Sequence, residues 1–261
     1  MLTREESRQL NDYCQKDPRL KALLKRLEEE HRAEVSRISH EIRNPVTLIN
    51  SYLQLTRNHY PQVDEFSTWK PILENMEFLK ELLEELSRYN HAGTLRPEVF
   101  SLTELLEDIC RDAGNAWTSV RTSFQKETAV PMAYADKTKL KEAVLNLIRN
   151  SAEALRDSAA GEIRLSLSFE NEWFLIKVSN NGPQILPDRL EDIFEPFVSY
   201  KRDGTGLGLP IVRSIANAHG GSITVTSTSD STCFCLKLPA PASLKETLRE
   251  AACARADKEE A

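Results

Sequence analysis

The sequence predicts two parts of different class: an all-helical N-terminal hairpin, followed by a two-layer α/β sandwich. Three observations carry this. Gly93 is the first glycine, so all 9 glycines lie in the later part of the chain. The segment before it is dense in Leu, Glu, Arg and Lys, with apolar residues at steps of three and four. The segment after it alternates in strand-like runs broken by turn residues.

The first helical stripe runs through Leu20, Leu24, Leu27, His31, Val35, Ile38, Ile42, Val46, Ile49 and Leu53. Pro61 closes it. A second stripe runs through Phe66, Trp69, Leu73, Met76, Leu79, Leu83 and Leu86. Two long amphipathic helices with a short connection predict an antiparallel hairpin. A lone hairpin leaves an apolar face uncovered, so a homodimer completing a four-helix bundle is expected. This domain is placed at 1–95, with Leu95-Arg96-Pro97 as linker.

The second domain is placed at 96–241. Ser101 is read as a helix cap, with Glu104 completing a capping box and the helix ending near Ala113. Val120 to Phe124 reads as a strand. Asp136 caps a helix reaching about Leu155. Ile163, Leu165, Leu167 and Phe169 alternate, as do Phe174, Ile176 and Val178, with a hairpin turn at Asn171-Glu172. Residues 186 to 204 read as irregular. A helix is expected from Thr205 to about His219, ended by Gly220-Gly221. Ile223 and Val225, then Phe234, Leu236 and Leu238, predict a closing hairpin. The tail, 242–261, has helical spacing at Leu244, Leu248, Ala251 and Ala252.

With 34 Lys+Arg against 40 Asp+Glu, the net charge of -6 excludes a general nucleic-acid binder, which needs a basic excess. No window approaches the run of about 20 apolar residues that crosses a bilayer, and the N-terminus lacks a leader's apolar core. Cys14, Cys110, Cys233, Cys235 and Cys253 lack metal-ligand spacing and read as reduced thiols, so a cytoplasmic place is expected.

Four segments carry chemistry. His40 lies two residues from Ile38 and from Ile42, about 200° round the helix, so it points away from the stripe. Glu41 is adjacent, Asn44 is one turn on, and Pro45 removes a backbone donor. A carboxylate that accepts a ring N–H raises the basicity of the other nitrogen, making a competent nucleophile. Glu142, Asn146, Asn150 and Glu153 share a helix, with the two asparagines one turn apart on one face. Carboxamide oxygens so placed suit Mg²⁺ beside phosphates. The run Gly204-Thr205-Gly206-Leu207-Gly208 opens into a helix, bringing backbone N–H groups and the helix dipole to an anion. Ser179-Asn180-Asn181-Gly182 ends a strand in a turn that can present a side chain to a base.

Together these segments resemble the sensor histidine kinase family of two-component systems over roughly residues 20 to 240. Ser39-His40-Glu41-Ile42-Arg43-Asn44-Pro45 resembles the phosphoacceptor box. Asn146 to Ala154 resembles the asparagine box, Ile193-Phe194-Glu195-Pro196-Phe197 the phenylalanine box, and Gly204 to Gly208 the second glycine box. The resemblance implies a Bergerat-type ATP-binding fold and an autophosphorylating kinase using ATP and Mg²⁺. It implies that His40 is phosphorylated, Glu41 orients its ring and takes its proton, and Asn44 positions a water in dephosphorylation. Asn150, with Asn146, would hold Mg²⁺. Lys201 and the amides of Gly204, Thr205, Gly206, Leu207 and Gly208 would contact the phosphates under a lid from Leu186 to Asp203. The implied partner is a response-regulator receiver domain. The first stripe begins at Leu20, so either a separate protein senses the signal or the sequence is a piece of a longer one.

One box departs. Where the family has Asp-x-Gly-x-Gly, the Asp reading the adenine amino group, this sequence has Asn180, Gly182 and Gln184. An amide loses charge assistance and can flip to suit either base, so a weaker, less selective site is expected. The alternative reading is a phosphorelay protein with a degenerate ATP domain.

Overall fold

A computed structural model of the chain describes residues 13, 17–126, 132–201 and 204–240. The tail expectation at 242–261, Cys14 and Cys253 fall outside these residues. The chain divides at Asn90 and His91 into two compact units.

The first unit is the expected hairpin. Helix α1 spans Pro18–His59 and α2 spans Trp69–His91, joined through a 3₁₀ turn at Pro61–Glu65. Asp17 caps α1, its carboxylate accepting from the N–H groups of Arg19 and Leu20 at 2.8 and 3.3 Å. Helix α1 continues through Pro45. The second helix starts at Trp69, not at Phe66. Trp69 and Val63 are buried, whereas Phe66 stays exposed in the connection.

The single stripe read on α1 divides into two lines. Ser39 and Val46, seven residues apart, are buried at 1% and 5% exposure, and Leu53 continues their line half-buried. Ile38, Ile42 and Ile49 lie roughly a quarter-turn round and are 43–48% exposed. Periodicity alone merges two adjacent faces, because residues at steps of three and four drift around a 3.6-residue helix. Ser39 is tolerated in the buried line because its hydroxyl donates to Val35 O at 2.7 Å.

The second unit is a sheet with one covered face. Its elements are β1 Glu98–Ser101, α3 Leu102–Ala116, β2 Arg121–Lys126, β3 Met132–Ala135, α4 Lys137–Ala154, β4 Glu162–Glu170, β5 Trp173–Asn180, α5 Gly208–Ala218, β6 Ser222–Ser227 and β7 Thr232–Pro239. The main sheet runs β2-β4-β5-β7-β6, with β2–β4 parallel and the rest antiparallel. Alternation places Ile163, Leu165, Ile176, Val178, Phe234 and Leu236 inward under the helices. The opposite positions are polar: Arg164, Ser166, Lys177, Ser179, Cys233 and Cys235. The hairpin turn at Asn171-Glu172 takes positive φ at both residues, 49° and 70°, as a two-residue turn between twisted strands requires.

A separate pair, β1–β3, has no counterpart in the sequence reading. Its inward alanines, Ala133 and Ala135, gave too weak an apolar signal. Ser101 does cap α3, accepting from Glu104 N–H at 3.2 Å.

Asp136 joins three segments. Its carboxylate accepts from the backbone N–H of Lys139 at 2.9 Å and of Arg96 at 2.7 Å. Its own N–H donates to His219 Nε2 at 3.0 Å. The segment read as a linker is therefore tied to the start of α4. Burial acts to raise the Asp136 carboxyl, but the two backbone donors, with His219 and Lys139 nearby, hold it below its ordinary value of 3.8. A folded-state value below the unfolded one contributes stability above the unfolded value, lost as pH falls through the folded one. Asp136→Asn keeps an acceptor for only one donor. Denaturant titration should show a loss of about 1–2 kcal/mol at pH 7, narrowing below pH ~4. A loss independent of pH would contradict this account.

Candidate nucleotide and phosphoacceptor sites

Helix α4 carries a polar line, Asn146, Asn150 and Glu153, beside its buried apolar face. Asn146 is 6% exposed, and Leu147, Ile148 and Ser151 are fully buried around it. Asn150 and Glu153 continue the line, half-buried. Lys201 meets it from the irregular segment. Its ammonium donates to Asn150 Oδ1 at 3.0 Å and pairs with the Glu153 carboxylate. The side-chain nitrogen of Asn146 and one oxygen of Glu142 are buried with no hydrogen-bond partner among the described residues. A buried amide N–H left so is costly unless a ligand completes it.

The glycine run comes to the same place. A Cβ added at Gly208 would lie 3.8 Å from Asn150 Nδ2 and 4.0 Å from Asn146 Oδ1. The first turn of α5 thus faces the two asparagines, its free N–H groups and dipole suited to an anion. The helix begins at Gly208 rather than at Thr205, because Gly206 takes φ +71° and cannot continue a right-handed helix. Thr205 Oγ1 instead accepts from Leu207 N–H at 3.3 Å. Phe197 also has positive φ, 65°, and its N–H donates to Gly206 O at 3.0 Å. Two left-handed residues close this loop. A non-glycine in that region is strained, and such strain gathers at functional sites. Sequence pattern gave no sign of it. Phe194 anchors the segment in the core, and Glu195 pairs with Arg213 of α5 at 3.0 Å.

Asn180 ends β5 at 5% exposure. Its Oδ1 accepts from Gly182 N–H at 3.0 Å, and its Nδ2 donates to Ser151 Oγ at 3.1 Å. The expectation of a freely flipping amide fails here. A flip would set the amide nitrogen against the Gly182 N–H, donor to donor. Gln184 is drawn away, donating to Ser227 O at 3.3 Å. Asn181, which the sequence reading left as turn, accepts from Glu162 N–H at 2.7 Å and donates to Ala160 O at 2.9 Å.

His40, Glu41 and Asn44 lie on α1, in the other unit, all exposed. The group on His40 Nδ1 is the Arg43 guanidinium at 3.1 Å, not Glu41. A guanidinium only donates, so Nδ1 is the acceptor and the ring proton sits on Nε2. Glu41 faces Arg37 at 3.8 Å, an exposed pair of little strength.

The profile of the histidine kinase-, DNA gyrase B-, and HSP90-like ATPase family matches residues 135–242. That interval holds both asparagines, Asn180, Lys201 and the glycine run. The signal transduction histidine-protein kinase AtoS of Escherichia coli (strain K12) is 29% identical over 191 residues, covering 72% of this chain and 31% of AtoS.

The chain is similar to the sensor histidine kinases of two-component systems.

Sensory histidine kinase/phosphatase NtrB of Rhizobium meliloti (strain 1021) is 28% identical over 203 residues, 72% of this chain and 53% of that protein. The chain thus spans about a third to a half of the length of the curated histidine kinases it matches. The histidine kinase ThkA, in its complex with the response regulator protein TrrA, superposes with TM-score 0.58 at 25% identity, over 84% of this chain and 67% of ThkA. Full-length ShkA with AMPPNP shares the fold at TM-score 0.64 and 23% identity, over 80% of this chain and 46% of ShkA. No helix among the described residues of this chain is long and apolar enough to cross a membrane.

Proposed function

We propose that the chain is an ATP-dependent, autophosphorylating protein-histidine kinase that passes phosphate from His40 to a response-regulator aspartate. The observation that carries this is the line Asn146, Asn150 and Glu153 facing the first turn of α5, with an unpaired amide and a tethered ammonium, in a chain that also exposes His40 on a helical hairpin. The line fits Mg·ATP. Asn150 and Asn146 would hold the ion through their amide oxygens, and the ion would supply positive charge to offset that of the phosphates. The unpaired Asn146 nitrogen and the Lys201 ammonium offer donors to phosphate oxygens, as do the α5 amides. Asn180 Oδ1 keeps a second lone pair for an adenine amino group.

In the transfer, a bond forms between a His40 ring nitrogen and the γ-phosphorus. The bond to the bridging oxygen breaks, and ADP leaves with its electron pair. Attack by Nε2 needs that nitrogen free of its proton, so the ring proton must pass to Nδ1. Glu41 is the neighbouring carboxylate able to hold it there once Arg43 withdraws. Asn44 would orient a water that hydrolyses the phosphoaspartate of the regulator, releasing inorganic phosphate. The ThkA–TrrA complex supports a receiver domain as partner.

The hairpin is read as dimeric. Ile38, Ile42 and Ile49 on α1, with Ile72 and Phe78 on α2, leave apolar area exposed, and patches of this kind mark interfaces. Light scattering at micromolar concentration should give a dimer. Incubation with γ-labelled ATP should give acid-labile, base-stable label on that dimer. The departures at Asn180 and Gln184 favour one rival, a relay protein with a degenerate ATP domain. It predicts label only from a phosphorylated donor protein and none from ATP.

A further inference from the structure

We infer that Ser151 sets the base selectivity of the nucleotide site by fixing the amide of Asn180, an inference that rests on the ATP-binding reading above. Three hydrogen bonds form a chain in the buried interior between α4 and the end of β5. Ser151, with no exposed surface, donates its single proton to Leu147 O at 2.9 Å. Its oxygen is thereby left as an acceptor and takes the Asn180 Nδ2 proton at 3.1 Å. The other end of the amide accepts from Gly182 N–H at 3.0 Å. Each bond dictates the polarity of the next, so nitrogen and oxygen of Asn180 are assigned by the network and not by choice.

The consequence is chemical. An amide fixed this way has one Oδ1 lone pair and one Nδ2 proton left, at fixed positions. If it turned over, Gly182 N–H would lose its acceptor. Ser151 would have to abandon Leu147 O to donate to the incoming oxygen. Two of three bonds would be lost in a site with almost no water to replace them. A site that cannot rearrange presents one pattern to the base. Adenine, with an amino group, and guanine, with a carbonyl in the corresponding place, are then told apart although the side chain is neutral. Ser151 is a positioning residue in this scheme: it does not meet the base and acts through Asn180.

Removing the hydroxyl removes one of the two bonds that resist the turn. Ser151→Ala should lower the ATP-over-GTP affinity ratio roughly five- to tenfold, the worth of one hydrogen bond. Ser151→Thr, which keeps the hydroxyl and the same backbone acceptor, should preserve the ratio. The decisive comparison is in Asn180→Asp. A carboxylate presents acceptors on both sides, so turning it over changes nothing, and there Ser151→Ala should leave the ratio unmoved. Competition titrations of ATP and GTP with Mg²⁺ on the full chain supply all the ratios. A ratio unchanged in Ser151→Ala, or changed equally with Asn and Asp at 180, would overturn the assignment while leaving the functional reading standing. No nucleotide binding by the unaltered chain would overturn both.

Discussion

His40→Ala should abolish label transfer from γ-labelled ATP, by at least about a hundredfold, with nucleotide affinity unchanged. The nucleophile leaves with the ring, and alanine offers no substitute. The nucleotide groups belong to another compact unit, beginning at His91, so their geometry does not depend on residue 40. The stability effect should be small, because His40 is exposed and its bond to Arg43 is exposed too. A pair of side-chain variants separates nucleophile from scaffold. Glu41→Gln should slow labelling without changing affinity, since an amide cannot take the ring proton. Undiminished labelling in His40→Ala would place the acceptor elsewhere and end the phosphohistidine reading.

The two-part architecture was legible because its signals are local. The loss of glycine before Gly93, the step pattern of the hairpin and the two-residue alternation of β4, β5 and β7 each follow from one element's own geometry. The caps at Ser101 and Asp136 were legible for the same reason. What escaped depends on distant partners. The β1–β3 pair escaped because each short strand is identified only by the other. Helix α5 was started three residues early because Thr205 carries no mark of what Gly206 does to the backbone.

The candidate site was legible as residue types and not as bonds. Asn146, Asn150, Lys201 and Gly208 were named and do converge. The ring partner of His40 was expected to be Glu41 and is Arg43. On a helix, three residues bring a side chain to the same face, whereas adjacent residues lie about 100° apart. The flipping amide at Asn180 was a sound reading of the residue alone. Ser151, twenty-nine positions away and unmarked in sequence, is what excludes it.

Gly206→Ala should cost nucleotide affinity more than tenfold and lower loop stability by about 2 kcal/mol or more. Two effects add. At φ +71° an L-residue pays about 1–2 kcal/mol for its Cβ. That Cβ would also lie 2.6 Å from the Phe197 carbonyl carbon and 2.7 and 2.8 Å from Val198 N and O, all backbone. Backbone cannot rotate aside as a side-chain tip can. Relief must come from opening the loop, which breaks the bond from Phe197 N–H to Gly206 O and moves the amides leading into α5. Gly208→Ala is the matched comparison. Its Cβ would meet nothing closer than 3.8 Å, so thermal stability should hold. Yet the methyl would enter the space between the asparagines and the helix start, where phosphate is proposed to sit, so affinity should still fall. Thermal unfolding and ATP titration of both variants separate strain from occlusion. If Gly206→Ala bound ATP as the unaltered chain does, the glycine loop would not be the phosphate cradle, and the site would have to be rebuilt on Lys201 and the asparagines alone.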